Sequence, residues 1–190
     1  MNWIEDIKEY VPYNEAEKAD KEAMLFAINS FNNLLTRENP LCHFSSSGYI
    51  VNKDRTKVLM IYHNIYKSWS WTGGHTDGDT NFLEVAIREA KEETGIKNVK
   101  AISDKIFSLD VLPVPAHIKR GKQIASHLHL SVAYLLEADD SDELTIKEDE
   151  NSGVKWVPID EVGKYSTEPD MITLYEKFNE KIVRQFSTNN

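Results

Sequence analysis

A chain of 190 residues with 41% hydrophobic side chains is long enough for one domain with a sizeable buried core. Its formal net charge of −9 excludes a duplex nucleic-acid binder that relies on bulk attraction to phosphate, but not an enzyme that handles phosphates at one local site. Cys42 is the single cysteine, so no intramolecular disulfide frames the fold. The opening MNWIEDIKEY has neither a basic start nor an apolar run, and no stretch reaches membrane-spanning length. The expectation is a soluble cytoplasmic protein with no membrane partner. Residues 1–40 read as a helical extension ahead of the main domain at 41–190. Asn14 and Glu17 suggest a capping box, and Ala16, Ala19, Ala23, Ala27, Phe31 and Leu34, widened by Met24, Ile28 and Leu35, mark one amphipathic face over residues 1–39. Packing on the domain is the default role of that face, with a homodimer contact or a cleft wall as alternatives.

From His43 to His63 the pattern changes to strands. Ser45–Val51 and Lys57–His63 flank the polar turn Asn52-Lys53-Asp54-Arg55-Thr56, as in a hairpin. The connector NIYKSWSW then leads to Gly73 and Gly74. Trp69 and Trp71 offer stacking faces for a base, although packing under the loop is the ordinary role for at least one of them. Trp71 and His75, either side of the paired glycines, are candidate substrate contacts.

A helix follows, started by Asn81 with Glu84 and closed by Gly95. Leu83, Ala86, Ile87, Ala90 and Thr94 give it a face for burial, and Glu84 can pair with Arg88. Glu89, Glu92 and Glu93 stand at i, i+3 and i+4, so three carboxylates crowd one side of the helix and repel. A hard divalent cation such as Mg²⁺, which takes oxygen ligands from carboxylates and phosphates, removes the conflict. A lone E-x-x-E-E is more often a solvated face, and it is the glycine loop ahead of it that favours the metal.

Lys100–Val114 has strand character, and Pro113, Pro115 and Gly121 bracket a loop carrying His117, Lys119, Arg120 and Lys122. Lys119 and Arg120 are candidate clamps for diphosphate oxygens, set against the plainer reading of a solvated loop. Ala125–Ala138 is a further strand on which His127 and His129 share a face. No further Cys or His is spaced in sequence to complete a zinc site, so pocket lining or hydrogen bonding is the favoured role for the pair. The acidic stretch DDSDELTIKEDENSG reads as a solvated loop before the strand VKWVP. Met171, Leu174, Tyr175, Phe178, Ile182 and Phe186 predict an amphipathic helix from about Pro169.

Gly74 and the run Arg88-Glu89-Ala90-Lys91-Glu92-Glu93-Thr94-Gly95-Ile96 resemble the Nudix box, G-x5-E-x7-R-E-U-x-E-E-x-G-U with U aliphatic. Eight of nine signature positions match; Thr80 stands where the first Glu is expected, and Asp79 lies next to it. The resemblance implies an α/β fold, a Nudix-like α/β/α sandwich around a mixed β-sheet, with residues 41–190 as the hydrolase domain and the N-terminal helices added. It implies a metal-dependent hydrolase that cleaves a pyrophosphate linkage in a nucleoside diphosphate joined to another moiety, by water attack on phosphorus. Mg²⁺ or Mn²⁺ would be held by Glu89, Glu92, Glu93 and the carbonyl of Gly73. Arg88 would orient the neighbouring Glu, and Glu148 or Glu150, just before the strand VKWVP and with Glu150 the favoured one, would supply a late-loop carboxylate. The partner is a small nucleotide or another diphosphate. Two rival classes remain: a non-catalytic nucleotide or ADP-ribose sensor, favoured only by Thr80, and an isopentenyl-diphosphate isomerase, for which Cys42 is the one candidate and stands ahead of the first strand.

Overall fold

The computed structural model describes residues 2–119 and 121–187, the side chains of Lys119 and Ser187 excepted. In chain order the helices are α1 (Trp3–Glu9), α2 (Glu15–Ser30), α3 (Phe82–Thr94), α4 (Val162–Tyr165) and α5 (Pro169–Ser187). The first strands are β1 (Cys42–Asn52), β2 (Lys57–His63), β3 (Ser68–Ser70), β4 (Thr72–His75) and β5 (Val99–Ala101). They are followed by β6 (Ser108–Val114), β7 (His117–Lys119), β8 (Lys122–Ile124), β9 (His127–Ala138) and β10 (Asn151–Pro158). The chain gathers into two compact units, one of Met1–Ser47, Gly73–Ala86 and Ser103–Tyr134, the other of Gly48–Thr72, Ile87–Ile102 and Leu135–Asn190. No helix of the described residues is long and apolar enough to cross a membrane.

In the first unit, the amphipathic run expected over residues 1–39 is two helices, broken at Val11-Pro12. Asn14 caps the second as expected, its side chain accepting from the Glu17 N–H. The helix stops at Ser30, where Phe31 turns extended, so Phe31, Leu34 and Leu35 are not helical. The buried stripe also differs from the expected one. It runs through Glu17, Met24 and Ala27, while Ala16, Ala19 and Ala23 face water. Glu17 tolerates full burial because its carboxylate accepts from the Tyr10 hydroxyl, from the Tyr13 N–H at 2.8 Å and from the Ser108 hydroxyl at 2.8 Å. Helix α1 is held by Trp3, whose ring meets Phe44 edge-on at 5.1 Å and Phe82 at 5.6 Å. Strand β6 pairs antiparallel with β9 from Ser108↔Ala133 to Val114↔His127. The segment expected as a basic loop is a small hairpin, β7 with β8, turning through Gly121 at φ +76°.

In the second unit the strand order is β10-β2-β1-β9-β5, with β3 on β2. The hairpin register is Val51↔Val58, and Asn52 Oδ1 fixes its turn by accepting from the N–H groups of Thr56 (2.8 Å) and Lys57 (2.9 Å). The predicted C-terminal helix is present as α5, and Leu174, Tyr175, Phe178 and Ile182 are buried as its periodicity requires. Helix α3 departs from its predicted face. Its buried residues are Phe82, Val85, Ala86, Ala90, Glu93 and Thr94, whereas Leu83 and Ile87 are half-buried. Phe82 and Val85 are its largest buried apolar side chains.

Candidate metal and phosphate site

The entry to α3 is a built turn. Asp77 (φ +46°) and Gly78 (φ +96°) take the two left-handed positions of a type I′ turn, closed by the Asp79 N–H donating to Thr76 O at 2.9 Å. The Asp79 carboxylate accepts from the Asn81 N–H at 2.9 Å, and Asn81 Oδ1 from the Glu84 N–H at 3.4 Å. Asp79 therefore helps start the helix, and Thr80 is exposed. Gly73 admits no side chain, because a Cβ there would lie 2.3 Å from Ser47 Oγ.

The acids are unequally buried. The Glu93 residue is 3% exposed, the Glu89 side chain 15% and the Glu92 side chain 46%. Burial, and then repulsion from Glu92, raises the pKa of Glu89, partly offset by Lys147 and Arg88. Arg88 lies along this edge, 3.7 Å from Glu89 Oε1 and 4.0 Å from Glu92 Oε1. Lys147, which sequence reasoning missed, joins Glu92 (3.2 Å) to Glu150 (3.1 Å). Burial opposes its charge, but the hydrogen bonds to Glu150 and Glu92 prevail and hold its pKa above the usual lysine value.

The loop bearing Lys147 and Glu150 is clamped to the end of α3. The Thr145 N–H donates to Thr94 O at 2.8 Å and Asn151 Nδ2 to Glu93 O at 2.8 Å, while the Asn64 N–H donates to Glu150 O at 3.0 Å. Gly95 makes the approach of Thr145 feasible. It sits at φ +72°, and a Cβ on it would fall 2.0 Å from Thr145 Oγ1. Four charged side chains of one compact unit, Glu89, Glu92, Lys147 and Glu150, thus gather from α3 and a single loop, and Glu93 follows Glu92 on the helix with its residue buried. Hard carboxylate oxygens of this number suit Mg²⁺ or Mn²⁺.

Trp71 is 8% exposed, and its ring packs on Phe178 at 5.2 Å. His75 joins a cluster of imidazoles in the first unit, with His43 and His129. The pair His127 and His129 therefore does have histidine neighbours, brought in from residues far off in sequence. The side chain of Lys119 and the whole of Arg120 lie outside the described residues. Cys42 opens β1, and burial raises its thiol pKa, which keeps it protonated.

The model of the NUDIX domain matches residues 43–178, most of the chain. The chain belongs to the Nudix hydrolase family. Enzymes of the family generally use divalent metals. The segment from Gly74 to Ile96 is its Nudix box, and α3 is the helix of that box. A relative from Lactococcus lactis subsp. cremoris, described as a probable DHNTP pyrophosphohydrolase, is 28% identical over 139 residues, covering 73% of this chain and 80% of that protein. An Ap4A hydrolase from C. elegans, solved as a binary complex, has a similar fold at TM-score 0.55 and 20% identity, covering 74% of this chain and 97% of that one. A Nudix-family hydrolase from Clostridium perfringens aligns at TM-score 0.52 and 22% identity, with coverage of 74% and 97%. The Nudix α/β fold, a mixed sheet with flanking helices, is the architecture expected from the sequence.

Proposed function

We propose that this Nudix protein hydrolyses a pyrophosphate linkage in a nucleotide or related polyphosphate ester, with Glu89, Glu92 and Glu93 as ligands of Mg²⁺ or Mn²⁺. The observation that carries this reading is the meeting of Glu89 and Glu92 with Lys147 and Glu150 beside the buried Glu93 of the same helix. A cation bound there supplies positive charge against phosphate oxygens and acidifies a water. Glu150 is the carboxylate proposed to take the proton of the attacking water, and Lys147 positions it. Arg88 keeps Glu89 and Glu92 aligned and does not touch substrate. His75, Lys119 and Arg120 are proposed substrate contacts, and Trp71 shapes its surroundings by packing. Residues 1–40 act as an added layer on the hydrolase domain at 41–190, which the burial of Ile7, Met24 and Ala27 supports.

The name of one relative supports a pyrophosphate linkage as the target. That protein is described as acting on DHNTP and another on Ap4A, and both ligands carry phosphoanhydride bonds. A hydrolysis screen with Mg²⁺ across nucleoside triphosphates, pterin triphosphates, dinucleoside polyphosphates, ADP-ribose and nucleotide sugars tests the reading. At least one compound is expected to release phosphate or pyrophosphate at a rate that Glu93→Gln reduces at least a hundredfold. Binding of ADP-ribose or a nucleotide without turnover of any compound would favour the sensor class instead.

A further inference from the structure

Four histidines of the first unit lie ring to ring, on strands β1, β4 and β9. His43 stands 4.9 Å from His75, 4.9 Å from His127 and 5.2 Å from His129, centroid to centroid. His75 and His129 meet edge-on at 4.9 Å. One ring nitrogen from each of His43, His75 and His129 lies within 4.8 Å of the others. Among the described residues this is the one group of three or more His, Cys, Asp or Glu side chains with ligand atoms so close.

The hydrogen bonding of His43 points to a ligand. The residue is buried, 5% exposed, and its Nδ1 lies 3.2 Å from Asn39 O. A carbonyl only accepts, so Nδ1 carries the proton and Nε2 holds a lone pair. That Nε2 is buried with no hydrogen-bond partner. An unsatisfied buried acceptor is unfavourable, and a metal ion is one group that satisfies it. His127 has the form of an outer support: its Nδ1 donates to Ala125 O at 2.9 Å, and its Nε2 stands 3.3 Å from His129 Nε2. Metal-bound histidines regularly have their second nitrogen held by a carboxylate, a backbone carbonyl or water, as Asn39 O holds Nδ1 of His43. Arg37 Nε donates to the Asp77 carboxylate at 2.9 Å, and both charges of that pair act on the His43 ring.

We propose that His43, His75 and His129 form a second metal site, selective for a first-row transition ion of the Zn²⁺ type, with His127 as a positioning residue. Imidazole nitrogen suits Zn²⁺, Ni²⁺ or Co²⁺, whereas Mg²⁺ prefers oxygen, so this site and the carboxylates of α3 sort different ions. Nitrogens about 2.0–2.1 Å from a tetrahedral Zn²⁺ lie about 3.3 Å apart. Closing from the observed spacing takes about 1.5 Å, a shift that small side-chain rotations provide. Three protein nitrogens leave a fourth position for water or an anionic ligand.

The test uses tag-free full-length protein stripped with a chelator, then titrated with Zn²⁺ in millimolar Mg²⁺, with Co²⁺ as a spectroscopic substitute. One equivalent of Zn²⁺ is expected to bind without competition from Mg²⁺, and Co²⁺ to give the intense visible absorption of a four-coordinate site. His43→Gln and His129→Gln are each expected to weaken Zn²⁺ binding at least a hundredfold with unchanged circular dichroism, while His117→Gln leaves it as in the parent. Should the buried His43→Gln fail to fold, the half-buried His129→Gln and the Co²⁺ spectrum of the parent decide. Zn²⁺ affinity equal in the parent and His129→Gln, or a Co²⁺ spectrum of six-coordinate type, overturns the proposal.

Discussion

Glu92→Gln separates a metal ligand from a surface charge. The Glu92 side chain is 46% exposed and lies 3.2 Å from Lys147 and 4.0 Å from Arg88. Partners this exposed give a salt bridge worth at most about 1 kcal/mol, and removing a charge that repels Glu89 offsets part of that loss. The melting temperature should therefore move by no more than about 4 °C in a chain of this size. Activity should respond differently, because the amide keeps the shape but removes an anionic ligand. A fall in kcat/KM of at least about a hundredfold is expected, roughly 2.7 kcal/mol of transition-state stabilisation. The assay is initial-rate hydrolysis of the best compound from the screen at saturating Mg²⁺, with thermal melts in EDTA on the same preparations. Glu84→Gln, exposed on the same helix, serves as control and should stay within a few-fold of the parent. If Glu92→Gln loses less than about threefold, or Glu84→Gln loses as much as Glu92→Gln, the roles assigned along α3 are wrong.

Three further outcomes follow from the packing and charge of the two units. Gly95→Ala forces a left-handed residue to carry a Cβ against Thr145 Oγ1, and it should lower stability by at least about 2 kcal/mol in urea unfolding. Glu17→Ala removes the shared acceptor of Tyr10, Tyr13 and Ser108 and should destabilise by about 2 kcal/mol or more, with Glu17→Gln milder; a neutral Glu17→Ala would contradict the account of α2. Hydrogen bonds from Arg37 hold the Asp77 pKa below its ordinary value, so their stabilisation is present above the unfolded carboxylate pKa and is lost as pH falls through the lower folded value. Arg37→Gln should thus cost at most about 1 kcal/mol at pH 7, since both side chains are about half exposed, and the difference from the parent should vanish in strong acid.

The acidic helix was legible because its message is local. Glu89, Glu92, Glu93 and Gly95 lie within two turns, and helical geometry alone puts the acids together. The same holds for α5, whose apolar spacing matches its burial. The boundary of α2 and the orientation of its face were not legible, because a polar residue, Glu17, occupies the buried stripe. Its donors come from Tyr10, from Tyr13 and from Ser108 on β6, the last a contact no period reveals. Lys147 lay hidden in an acidic stretch, and its role depends on Thr145 and Asn151 docking on the end of α3. The histidine cluster was half visible, as the alternating pair on β9. His43 and His75 reach it only through strand placement, from positions 84 and 54 residues before His127 and His129 respectively.

The central claim is that hydrolysis requires a divalent cation held by the carboxylates of α3. Its most direct test is the initial rate on the best compound of the screen, measured first in excess EDTA and then across a Mg²⁺ titration. The rate should fall to background in EDTA, rise to saturation with Mg²⁺ and stay at background for Glu93→Gln at the Mg²⁺ concentration that saturates the parent. Full turnover in excess EDTA, with no metal retained by elemental analysis, would contradict it.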